Sequence, residues 1–237
     1  MGSARFEELA FSQTPRGEIS LRRRLEPTLK VDVYEVKLGE EFLMSSLFTV
    51  AEVELAKLGL AKAFGAHLDV VVGGLGLGWT ARAALEDVRV GSMIVVDAMA
   101  EVIDWHVQGL LPGSEELVRD PRTRLVLDDF FAMATADTGF DPDAPGRRFD
   151  AVLLDIDHTP RHVLHPSHAA FYSLDGLRLL KLHLNPGGVF ALWSDDPPDD
   201  DFTALLGQVF DTADAHVIPF ANFLTGAESS NTVYVAC

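Results

Sequence analysis

An apolar strand that runs straight into clustered glycines leaves a chain few folds to adopt. In Asp69-Val-Val-Val-Gly-Gly-Leu-Gly-Leu-Gly-Trp-Thr-Ala-Arg-Ala-Ala-Leu-Glu86, valines 70 to 72 precede Gly73, Gly74, Gly76 and Gly78. Thr80 to Leu85, rich in Ala and Leu, then reads as helix. Strand, tight turn and helix in that order open a nucleotide-binding α/β unit. Glycine suits the turn because the chain must bend sharply and bring its backbone close to a ligand. By itself the pattern is unspecific, and its meaning depends on the ends of the strands that follow.

Those strands alternate with helices. Ser92 to Asp97 is a buried strand closing on a carboxylate, and Met99 to Leu110 is a helix stopped by Pro112-Gly113. Arg124 to Leu127 is a short strand ending at Asp128-Asp129, with a helix from Phe130 to Ala134. Thr135 to Arg147, rich in Pro, Gly and Asp, reads as a flexible surface loop. Phe149 to Asp155 is the next strand, Leu174 to Leu184 a helix, and Asn185-Pro-Gly-Gly188 a turn into strand Val189 to Trp193. Phe202 to Phe210 is the last helix, and Ala215 to Phe220 with Thr232 to Ala236 form a closing antiparallel pair. The expected fold is α/β: a Rossmann-like seven-stranded, mostly parallel sheet with a closing antiparallel hairpin.

The first residues differ in texture. Gly17 to Arg23 and Val31 to Leu38 alternate apolar and polar positions, predicting a small antiparallel β appendage over residues 1–47. Arg22, Arg23 and Arg24 read as a solvated strand end in preference to a phosphate or partner patch. Ser45-Ser46 is expected to cap a helix from Phe48 to Phe64 whose buried stripe is Val50, Val53, Leu55, Leu58 and Leu60. That helix opens the main domain, residues 48–237. Met1-Gly2-Ser3 reads partly as a cloning remnant.

Nineteen basic against 36 acidic residues give a net charge of −17. Such a field disfavours nucleic acid and favours cationic small molecules. No apolar run reaches the roughly 18 residues of a membrane span, and no signal peptide opens the sequence. The single cysteine, Cys237, excludes a disulfide within the chain and suits a reducing cytoplasm.

Three strand ends direct acids toward one crevice: Asp97, Asp129 and Asp155. Asp97, about twenty residues beyond the glycines, is placed to accept the ribose hydroxyls of an adenosine. Asp129 is placed to accept the adenine amino group. With them, Gly74, Leu75, Gly76, Gly78, Ala98 and Phe130 form the candidate cofactor site. Each acid taken singly could equally cap a helix or sit in a loop, and NAD is the competing ligand.

The continuation into Asn-Pro-Gly-Gly-Val-Phe and a closing hairpin resembles the class I S-adenosylmethionine-dependent transferases. Within them, four segments resemble the spermidine synthases, the polyamine aminopropyltransferases: Val-Val-Gly-Gly-Leu-Gly-Leu-Gly, Val-Val-Asp97-Ala-Met-Ala-Glu-Val-Ile, Val-Leu-Asp-Asp129-Phe and Phe-Asp-Ala-Val-Leu-Leu-Asp155-Ile-Asp157-His. The β-rich appendage is similar to theirs as well. The resemblance implies decarboxylated S-adenosylmethionine as donor, or S-adenosylmethionine itself, and a cationic amine as acceptor. It implies Asp155 as the group that anchors the ammonium and removes its proton, with Asp157 assisting, and Asp195 then Asp196 on the far side of the substrate. A homodimer through the appendage is expected on the same grounds.

The sequence also departs from that family. Gly76 stands where the family has an acid for the donor's terminal amine. Ser-Ser-Leu-Phe-Thr-Val-Ala-Glu52 replaces its Tyr-His region, and Ile-Asp-His follows Asp155 in place of Ser-Ser-Asp. His158, His162, His165 and His168 crowd the same loop. They can be structural, a general base (His158), or metal ligands, although no metal site is expected. Three functions stay open: aminopropyl transfer, methyl transfer to a small molecule, and non-catalytic binding of an adenosyl ligand.

Overall fold

The computed structural model describes residues 6–237; Met1-Gly2-Ser3 lies outside them. Four antiparallel strands come first: β1 (Phe6–Thr14), β2 (Gly17–Glu26), β3 (Val31–Leu38) and β4 (Glu41–Ser45), paired in that order. β1 was not anticipated, because its register against β2 shifts between Glu8 and Ala10 and breaks the alternation that marks a strand. The arginines of β2 form ion pairs: Arg23 with Glu7 at 2.6 Å and Arg24 with Glu35 at 2.7 Å.

The remaining chain alternates α1 (Val50–Lys62), β5 (Leu68–Gly73), α2 (Trp79–Leu85), β6 (Val90–Asp97), α3 (Ala100–Val107), α4 (Ser114–Arg119), β7 (Thr123–Leu127), α5 (Phe130–Thr135) and β8 (Phe149–Leu154). It closes with α6 (Leu174–Leu182), β9 (Leu184–Ser194), α7 (Asp200–Leu206), β10 (Ala213–Asn222) and β11 (Ala227–Ala236). The seven strands are ordered β10-β11-β9-β8-β5-β6-β7. β9 through β7 run parallel, and β11 and β10 complete the sheet antiparallel. From β5 the chain proceeds outward to β6 and β7, then returns to place β8 on the other side of β5. The gap between β5 and β8 is therefore the topological switch point, where ligands bind in open α/β sheets.

β5 is buried on both faces. Val70 and Val72 join a core with Leu55, Ala56 and Leu60 of α1 and Ala81 and Ala84 of α2. Val71 faces the opposite layer, an aromatic core including Phe130, Phe140, Phe171 and Phe190. No helix among the described residues is long and apolar enough to cross a membrane.

Several local expectations need correction. Neither serine caps α1: Ser45 Oγ accepts from Leu47 N at 3.2 Å, and Ser46 Oγ accepts from Tyr34 N at 2.9 Å. The N-cap is Thr49, with no side-chain capping bond. The buried stripe of α1 is Ala51, Leu55, Ala56, Gly59 and Leu60; Val50 is 47% exposed. Small side chains let α1 lie close to β9, so the apolar spacing misjudged which positions face inward. Helix α4, six residues behind Pro112-Gly113, was too short to show a period. Asn185 to Gly188 runs inside β9 as an irregularity in its pairing with β8.

The loop 135–147 lies largely at the surface, as expected, and is tied down at Asp141. Asp141, 3% exposed, pairs with Arg124 and, at 2.9 Å, with Arg147. Burial alone would raise its carboxyl, but the two guanidiniums outweigh burial and hold it at about 2. A depressed acid stabilises above its unfolded value near 3.8 and loses that contribution as pH falls through 2. Asp141→Asn is thus expected to cost about 2 kcal/mol in urea unfolding at pH 7, with the gap closing toward pH 2.

Candidate active site

The glycine turn owes its shape to close packing on both sides. Gly74 has φ +93°, and a Cβ there would lie 2.0 Å from the carbonyl oxygen of Asp155. Only glycine lets the turn after β5 press against the end of β8. Gly76 has φ +47°, and a Cβ would meet the Met44 sulfur at 2.8 Å. From below, His106 Nε2 donates to the Gly76 carbonyl at 2.9 Å, while burial lowers the imidazole's proton affinity.

Asp97 closes β6 beside this turn. One carboxylate oxygen accepts from Met99 N at 2.8 Å, and the other from Leu75 N at 3.0 Å and Gly76 N at 3.5 Å. Burial raises its carboxyl, opposed by these amides. Asp129 caps α5, its Oδ1 accepting from Phe131 N at 2.9 Å and Ala132 N at 3.2 Å. Its Oδ2 lies 3.8 Å from the guanidinium of Arg16, which comes over from the β1–β2 turn.

Two cavities meet at the switch point. The first, about 380 Å³, lies between the N-terminal sheet and the carboxyl ends of β5, β6 and β7, with Arg16, Asp97, Asp129, Phe131, Asp155 and His168 in its wall. Gly74, Gly76, Ala98 and Phe130 also line it. The second, about 290 Å³, is walled by Glu52, Trp79, Asp155, His158, Trp193 and Asp195, with Leu75 and Gly78 at its edge. Gly76, Met44 and Asp155 belong to both.

Asp155 accepts a hydrogen bond from Thr80 Oγ1 at 2.7 Å. Burial pushes its carboxyl up to about 6, against the effect of that bond. Asp195 accepts from Asn231 Nδ2 at 2.8 Å, and its own amide donates to the His158 carbonyl at 2.7 Å. His158 Nε2 lies 3.2 Å from Glu41. The structure thus brings Asp155, Asp195 and His158 around one space.

It does not bring in Asp157 or Asp196. Asp157 is fully buried beneath the loop, accepting from Leu164 N at 2.7 Å, His168 Nδ1 at 2.8 Å and Tyr172 OH at 2.9 Å. Asp196 is exposed outside both cavities, its backbone carbonyl accepting from Thr232. Among the described residues, no group of three or more His, Cys, Asp or Glu side chains is placed to hold a metal ion.

The residue missed in the sequence is Glu52, from the first turn of α1. Burial pushes its carboxyl up to about 8, and the charges of Asp155 and Asp195 add to the effect. Its signal in the sequence was its place at the end of the segment Ser45 to Glu52, which stands where the resembling family has its Tyr-His pair, and a solvated helix start would share that place.

No family model matches the sequence. The fold has clear counterparts among solved structures. The spermidine synthase from Thermotoga maritima superposes with a TM-score of 0.72 over 97% of this chain and 72% of that one, at 16% identity. The chain has the spermidine synthase fold. A spermidine synthase in complex with the transition-state analogue AdoDATO matches with a TM-score of 0.70, at 16% identity over 97% of this chain and 71% of that one. A probable spermidine synthase from Corynebacterium glutamicum matches at 0.65 and 17% identity, over 96% and 79% of the two chains. In all three the spermidine synthase likeness spans nearly the whole of this chain, so the small N-terminal sheet is included in it.

Proposed function

We propose that this protein transfers an aminopropyl group from decarboxylated S-adenosylmethionine to an amine acceptor. The observation that carries this reading is the position of Asp155 in the wall shared by two cavities, one bordered by the glycine turn and Asp97, the other by acids. The first cavity suits an adenosyl donor: the Gly74 turn leaves room for close approach, and Asp97 is positioned to meet ribose hydroxyls. The AdoDATO complex of a protein with this fold supports the same class of ligand.

When bound, the donor supplies an electrophilic carbon beside a sulfonium. Asp155 then has two tasks. Its carboxylate holds the acceptor ammonium at the junction of the cavities, and it takes one proton, leaving the nitrogen lone pair free toward the donor cavity. Burial makes both tasks effective, because water is excluded and the raised carboxyl is a better base. Glu52 and Asp195 surround the rest of the acceptor with negative charge. Trp79 and Trp193 supply apolar walls for its carbon chain.

Methyl transfer from the intact donor is the second reading, favoured by one observation. Met44, and not a carboxylate, covers Gly76, so the turn offers no acid to the donor's terminal amine. Mass spectrometry of products separates the two. Decarboxylated donor with 1,4-diaminobutane is expected to yield the aminopropylated diamine and 5′-methylthioadenosine. Methylated amine from the intact donor, without aminopropyl product, would establish the second reading. Failure to bind any adenosyl ligand in calorimetry would remove both.

A further inference from the structure

We propose that His168 reads the purine of the donor, accepting a hydrogen bond from the exocyclic amino group of adenine through Nε2. The inference rests on the reading of the first cavity as an adenosyl site, and it is independent of which group is transferred.

His168 lies on a short 3₁₀ turn, Pro166–Ala170, that follows the loop after β8. The residue is 3% exposed, and what remains open lines the first cavity. The ring stacks on Phe131, centroids 3.9 Å apart and planes 22° from parallel, so its orientation is fixed. Asp157 fixes the tautomer. It accepts at 2.8 Å from Nδ1, so that bond places a hydrogen on Nδ1 and leaves Nε2 as the ring nitrogen without a protein partner. Tyr172, whose hydroxyl is pushed well up by burial and by Asp157, stays protonated and donates to the other oxygen at 2.9 Å.

Nε2 has no partner among the described residues, yet it is not sealed in as Nδ1 of His106 is. Two buried groups are thus spent on presenting one acceptor to a cavity. Asp129, the other acceptor on this side, caps α5 with Oδ1 and faces Arg16 with Oδ2. Phe131, which carries the His168 stack, is two residues beyond Asp129. A purine edge turned toward α5 would meet the imidazole beside Phe131. A 6-amino group would donate to Nε2, whereas a 6-oxo group would oppose one lone pair with another.

Calorimetric titration of the full chain with 5′-methylthioadenosine and 5′-methylthioinosine tests this. Wild type is expected to favour the 6-amino nucleoside by at least about tenfold, as one hydrogen bond in a partly buried site implies. His168→Phe keeps the stack on Phe131 and removes the acceptor, so the ratio should fall to about threefold or less. His168→Gln can offer either end of its amide and should narrow the ratio similarly. A folded variant of either kind that retains the wild-type ratio overturns the proposal. Wild type alone gives a further check: 5′-methylthio-purine riboside, without any exocyclic group, should bind about tenfold more weakly than 5′-methylthioadenosine, and equal binding overturns the proposal. Absence of 5′-methylthioadenosine binding would instead overturn the donor-site reading beneath it.

Discussion

Asp155→Asn is expected to lower kcat for aminopropyl transfer by about 10²- to 10⁴-fold, the usual range for loss of a positioned proton acceptor. Asparagine keeps the shape of the side chain and can still accept from Thr80 Oγ1, which now holds one carboxylate oxygen at 2.7 Å. Donor affinity should therefore change little, because the glycine turn and Asp97 stay in place. The pH profile carries a second signature. Burial raises the Asp155 carboxyl to about 6, so below that pH the group is neutral and cannot take a proton. Wild-type activity should rise through about pH 6, and that limb should vanish in the variant. Single-turnover rates at several pH values decide the matter. Turnover unchanged by the substitution would move the base elsewhere, or leave the chain an adenosyl-binding protein without catalysis.

Strand ends were the legible part of this site. Apolar runs such as Val70 to Val72 and Val152 to Leu154 fix where a buried parallel strand stops, and the next residue must emerge at the carboxyl edge of the sheet. That is why Asp97, Asp129 and Asp155 could be placed together. Past the strand, alternation no longer fixes direction. Asp157 is two residues beyond Asp155, yet its carboxylate turns inward to gather Leu164, His168 and Tyr172. Asp129 shows a different limit, since the same residue caps a helix and borders a cavity. Position alone does not apportion one carboxylate between the two. Glu52 was illegible for a packing reason. Ala51, Ala56 and Gly59 let α1 settle deeply on the sheet, and the depth of that contact, which sequence spacing does not record, carries an otherwise ordinary helix-start glutamate into the wall of the second cavity.

Glu52→Gln is expected to abolish a proton release that accompanies amine binding to the wild type. Glu52, Asp155 and Asp195 line one cavity, and its wall contains no lysine or arginine among the described residues. His158, which faces Glu41, is the other titratable group there. Burial, with repulsion from Asp155 and Asp195, pushes the Glu52 carboxyl to about 8, so at pH 7 the protonated form predominates before amine binds. An entering ammonium reverses that balance by favouring the charged form. Titrating 1,4-diaminobutane in buffers of different ionisation enthalpy should therefore register close to one proton released per diamine at pH 7, and close to none in the variant. Stability should follow the same sign. A raised acid ionises in the unfolded chain near 4.5 but stays neutral in the folded one, so the empty wild type loses stability relative to the Gln variant as pH rises from 4.5 toward 8. Above 8 both forms ionise alike, and the difference in Tm should level off. Proton release that persists in the variant would assign the proton to another group. Binding without release in the wild type would mean that Glu52 is already charged in the empty site, and that the cavity tolerates three carboxylates without a cation between them.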